Sequence, residues 1–162
     1  MSAAAYDFNN MDPFFRDLGD LQAKFMSLEY NLRTFLFLHS GRPFMQDMES
    51  VAVGDSFEEN EFTNYDTLPK LVAKYNDVVR LKNAALVIHP SIVEIRDALA
   101  HGRLYRRFAD RQSRLLKFSK PDKATGRVRA ETVETLDPAT LLRWNTFMFK
   151  ASRQVWEALA DP

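Results

Sequence analysis

Apolar residues recur at alternating spacings of four and three through Phe14, Leu18, Leu21, Phe25, Leu28, Leu32 and Phe35, which predicts one long amphipathic helix. Asp12-Pro13 supplies its start: the acid caps free N–H groups, and proline stands at the first helical position, where a missing N–H costs nothing. The helix should reach about His39, because Gly41 and Pro43 stop it. A second apolar series, Leu68, Leu71, Val72, Tyr75, Val78, Val79 and Ala85, follows Asp66 or Thr67 as cap. It must end before Pro90, since the residue ahead of a proline is pushed out of helical geometry, and His89 therefore falls in a turn. Residues 42–65 lack a period and read as a long connection, with one helical turn near Met45 to Ser50.

Ser91 to Gly102 is a short third helix. Ser91 and Glu94 have the spacing of a capping box, and Gly102 can close the helix in the left-handed conformation. The period then changes. Arg114 to Ser119 and Arg127 to Thr135 alternate apolar and polar positions around the turn-forming run 120–126, which predicts a β-hairpin. Asp137-Pro138 repeats the first helix's start signal, and Leu141, Leu142, Trp144, Phe147, Met148, Ala151, Val155, Trp156 and Leu159 give the last helix a broad buried face. The fold class this predicts is mainly all-α, a bundle of four to five helices with a small β-hairpin (114–135) inserted before the last helix. The 162 residues, 46% hydrophobic, suit one domain, with residues 1–11 flexible ahead of it.

The absence of cysteine removes disulfides, thiolate catalysis and cysteine-based zinc sites, and agrees with a reducing compartment. No signal-peptide pattern opens the chain and no apolar run approaches the roughly 20 residues of a membrane span. The expectation is a cytoplasmic protein with no membrane partner. Net charge is zero, yet acids prevail from Asp7 to Asp66 and cations from Arg96 to Arg129, including Arg103, Arg106, Arg107, Arg111 and Arg114. Such asymmetry suits a polyanion-binding face, although charge alone favours a solvated surface paired with the acidic half. No histidines and carboxylates share metal-ligand spacing on one helix, and Gly54 and Gly126 stand alone, so neither a metal nor a phosphate-cradling loop is expected. His39 reads as a helix-end residue.

The third helix carries the densest chemistry. Asp97 and His101, four apart, share a face, so the carboxylate can orient the imidazole and favour its protonated form, as does the helix C-terminus. Arg96 and His101, five apart, are separated by about 140° around an ideal helix and about 7.5 Å along it. A strongly bent arginine or a second subunit is needed to join them.

Arg96-Asp97-Ala98-Leu99-Ala100-His101, followed by Gly102-Arg103, resembles the Rx4-6H signature of HEPN domains, in its form with a polar residue after the arginine and an Ala-His-Gly-Arg ending. The motif covers only this helix, and the hairpin is extra to a minimal four-helix bundle of that family. The resemblance implies a metal-independent, cofactor-free endoribonuclease, often a homodimer whose two motif helices form a shared cleft, in defence or as a toxin with an antitoxin or regulatory partner. His101 would then be the general acid or base, Arg96 would stabilise phosphoryl charge, Asp97 would orient His101, and Arg103, Tyr105, Arg106 and Arg107 would contact RNA. The alternatives are a non-catalytic dimerisation or RNA- or partner-binding module that uses the same polar residues structurally, and a helical adaptor for a larger complex.

Overall fold

The computed structural model describes residues 13–41, 51–106 and 112–160. Helix α1 spans Pro13–His39, α2 Leu68–Lys82, α3 Ser91–His101 and α4 Pro138–Ala160, with a 3₁₀ turn at Ala84–Leu86. Strands β1 (Arg103–Arg106), β2 (Ser113–Phe118) and β3 (Ala130–Thr135) form one antiparallel sheet in that order. The molecule is mainly helical, and its sheet lies between α3 and α4 in the chain. The helical turn expected at Met45 to Ser50, the flexible residues 1–11 and the cap Asp12 lie outside the described residues.

The α1 stripe is spent on the protein's own core. Leu21, Phe25, Leu28, Leu32 and Phe35 are buried, Phe14 and Leu18 pack against them, and α2 and α4 supply the facing surfaces. Lys24 Nζ donates to Asn145 Oδ1 at 2.7 Å along the seam with α4. Asp137 starts α4 as expected: its Oδ1 accepts from the Thr140 backbone N–H at 2.7 Å, and that bond holds the carboxyl below its ordinary pKa. The face that α4 buries is narrower than expected, however. Leu142, Phe147 and Trp156 are exposed, because α1, α3 and the 3₁₀ turn cover one side of α4 only.

Two further corrections concern what leads into α3. Helix α2 ends at Lys82 and Ala85 is exposed in the 3₁₀ turn, where Asn83 Oδ1 accepts from the Ala85 N–H at 3.0 Å. The run 84–90 is then tied down by buried polar side chains. Asn76 donates to Ile88 O and accepts from Ile88 N–H, both at 2.8 Å, while Gln154 Nε2 donates to Ala85 O and Val87 O at 2.9 and 3.0 Å. Each backbone group taken from water is thus paired, which makes this connection a rigid lead into α3. The segment after residue 50 is anchored differently, by Arg33, whose guanidinium donates to Asn64 O at 2.9 Å and Asp66 O at 2.7 Å.

The capping box does not form. No Ser91 side-chain cap is made; instead His89 Nδ1 accepts from the Ser91 backbone N–H at 3.2 Å and lies 2.8 Å from Ser91 Oγ. A backbone N–H can only donate, so Nδ1 is the unprotonated nitrogen and His89 is the helix-starting side chain. Gly102 also departs from expectation. Its φ of −76° is ordinary, and what requires glycine is space: a Cβ would collide with the Ala98 carbonyl oxygen and come within 2.7 Å of Leu115 Cδ1. The close approach turns the chain directly from α3 into β1.

The expected hairpin is present as β2 and β3, and β1 widens it to three strands. Asp122 closes the turn, its Oδ1 accepting from the N–H groups of Ala124 and Thr125 at 3.0 and 2.8 Å, and Gly126 takes φ 65°. Pairing places Arg103 opposite Leu116, Leu104 opposite Leu115, and Leu116 opposite Val133. Period-two alternation gives the sheet an inner face with Leu115 and Ser113 buried and an outer face open to solvent.

Candidate functional site

Helix α3 buries Ile92 and Ala98 and turns Asp97 and His101 outward, toward the inner side of β2. His101 Nε2 stands 3.6 Å from Asp97 Oδ1, with the imidazole 64% exposed and the carboxylate 38%. The pair expected from their spacing is therefore formed, within ion-pair range and open to a ligand.

Asp97 has a second, closer cation. Lys117 Nζ lies 2.6 Å from Asp97 Oδ2 and 2.9 Å from Glu131 Oε2. The hydrogen bond to Asp97, then that to Glu131, push the lysine's pKa up to about 12, so it is a permanent charge at neutral pH. This clamp joins α3 to β2 and to the irregular step between Lys117 and Phe118 where β3 pairs. Neither Lys117 nor Glu131 is among the residues that the motif singles out. The signal was present in the strand's alternation, which puts a lysine on the same face as buried Leu115.

Arg96 is half-buried and, among the described residues, forms no hydrogen bond or ion pair. It makes no hydrogen bond to His101. Arg103 and Tyr105 are exposed on the outer face of β1, with the Arg103 guanidinium 5.4 Å from the Phe118 ring centroid. Arg106 turns to the other face and lies over Phe14 and Phe15 of α1, at 5.6 and 5.4 Å. Arg107 lies outside the described residues.

A groove of about 410 Å³ adjoins Gly102 on the inner side, lined by Phe15, Leu18, Leu99, Leu104 and Leu115 among others, none of them titratable. Proton transfer thus has its candidates at the open helix end and not in this groove. Among the described residues no group of three or more histidine, cysteine, aspartate or glutamate side chains is arranged to hold a metal, and no helix is long and apolar enough to cross a membrane.

Compared with protein-family models, curated proteins and solved structures, the chain matches none.

Proposed function

We propose that this protein is a metal-independent endoribonuclease of the HEPN type, working as a homodimer under the control of an antitoxin or other regulatory protein. The single observation that carries the reading is the exposed His101, within ion-pair range of Asp97 in the last turn of α3 and two residues ahead of a strand that opens with Arg103. A residue serving only as a packed polar link has no need of such exposure. In the reaction, an unprotonated ring nitrogen of His101 takes the proton from a ribose 2′-hydroxyl as the 2′-oxygen attacks the adjacent phosphorus. The bond to the 5′-oxygen breaks, that oxygen takes a proton from an acid or water, and the ends left are a 2′,3′-cyclic phosphate and a 5′-hydroxyl. Arg96, supplied by the second copy, offsets charge growing on the phosphoryl oxygens.

A second reading has one specific observation in its favour. Asp97 is nearer Lys117 than His101, so the polar cluster can also serve to fasten the sheet to α3, in a non-catalytic dimerisation or RNA-binding module. The two are separated by incubating the pure protein with total cellular RNA and chelator, wild type beside His101→Ala, and mapping the cut ends. The ribonuclease reading expects cyclic phosphate ends with wild type only, undiminished by the chelator. No cutting by wild type, or equal cutting by both, selects the second.

A further inference from the structure

The outer face of the sheet brings exposed aromatic and cationic side chains together. Alternation places Arg103 and Tyr105 of β1, Arg114, Leu116 and Phe118 of β2, and Val133 of β3 on it. Tyr105 is 53% exposed, Phe118 37% and Val133 51%. Large apolar side chains left in water on a two-sided sheet gain nothing for the fold, and here they alternate with cations. The acids of the same strands point elsewhere: Glu131 holds Lys117, and Glu134 reaches Arg143 of α4 at 3.8 Å. Among the described residues neither Arg103 nor Arg114 has an acidic partner. The face is thus positive and aromatic, with no carboxylate of β1, β2 or β3 turned onto it.

We infer that this face is a binding platform for unpaired RNA, in which Tyr105 and Phe118 stack on bases while Arg103 and Arg114 hold phosphates. The inference rests on the ribonuclease reading for its choice of RNA, because Arg103 follows His101 by two residues, at most about 7 Å of chain. Register puts Tyr105 opposite Arg114, four residues from Phe118 along β2, so the two rings are roughly 13 Å apart along the strands. Arg103 lies between them, already aligned over Phe118. Two separated stacking stations with a cation between suit a strand crossing the face, not one nucleotide. Duplex RNA keeps its bases stacked inside and cannot use the rings, whereas every unpaired base offers a π-face. Arg106, turned inward over Phe14 and Phe15, takes no part.

The test measures binding in the His101→Ala background, by fluorescence anisotropy with a labelled oligouridine and a labelled RNA duplex of equal length. Tyr105→Ala and Phe118→Ala should each weaken oligouridine binding about tenfold, with Tyr105→Trp and Phe118→Trp retaining it. Arg114→Ala should weaken binding and flatten its salt dependence by about one counterion. Phe149→Ala, removing a still more exposed aromatic from α4, should leave binding unchanged. Circular dichroism of each variant establishes that the sheet is intact. Unchanged affinity in the double alanine variant, or duplex bound as tightly as oligouridine, overturns the platform. So does a double variant that loses self-association and keeps RNA binding, since the face is then covered by a second copy. A wild-type protein that binds oligouridine through these rings and cuts no RNA refutes the ribonuclease reading alone.

Discussion

Lys117 and His101 flank the same carboxylate, Lys117 at 2.6 Å from Asp97 Oδ2 and His101 at 3.6 Å from Asp97 Oδ1. The lysine belongs to the sheet and the histidine to α3, so Asp97 couples the sheet to the candidate catalytic helix. Lys117→Met removes the charge shared by Asp97 and Glu131 while keeping the apolar stem. The expected result is a melting temperature lower by a few degrees. In a double-mutant cycle with Asp97→Asn, the double variant should lose less than the two single losses added together, because both remove one interaction. Additive losses would show that the clamp does not couple the two elements.

Gly102 is the other fixed point between α3 and the sheet. Gly102→Ala puts a methyl group against the Ala98 carbonyl and Leu115, both part of well-packed elements. Overpacking of this kind costs about 1–3 kcal/mol, read from the urea midpoint at unchanged slope. A neutral Gly102→Ala would mean that the chain leaves α3 by another route.

His39 makes stability depend on pH in a definite direction. Its ring stacks on Phe35 with centroids 4.6 Å apart, and burial, then the charge of Lys82, lower its pKa from 6.5. The folded state therefore binds this proton less readily than the unfolded chain. Its stabilising contribution is complete above 6.5 and is lost as pH falls through the depressed folded value. His39→Gln should give a flatter decline in urea midpoint below that pH than wild type shows. Parallel declines would contradict the assignment.

The helical part of this fold is readable because its signals are local. Phe14 to Phe35 repeat over seven positions, and Asp137 caps α4 through the Thr140 N–H only three residues away. What escapes is decided by partners distant in the chain. Strand β1 has four residues, too few for a period to register, and exists because β2 pairs with it. The Ser91 and Glu94 box is a valid local pattern that loses to His89, whose ring is placed by the Asn76 and Ile88 bonds upstream. At the site, the pairing of Asp97 with His101 follows from helical spacing, whereas the Lys117 clamp requires a strand to come back onto the helix.

The separation of Arg96 from His101 gives a test of subunit sharing. Arg96→Ala and His101→Ala are each expected to be inactive alone. If each active centre takes one residue from each copy, mixing and re-equilibrating the two variants makes half the dimers mixed, each with one intact centre. Activity should return to roughly a quarter of wild type. A mixture as inactive as its parts would show that both residues must come from one chain.

If His101 moves a proton during RNA cleavage, the rate at which wild type and His101→Ala cut one labelled RNA must differ. Loss of about 10²–10⁴-fold in rate, with oligouridine affinity and melting temperature preserved, is the predicted result. Cleavage by purified His101→Ala at the wild-type rate would contradict it.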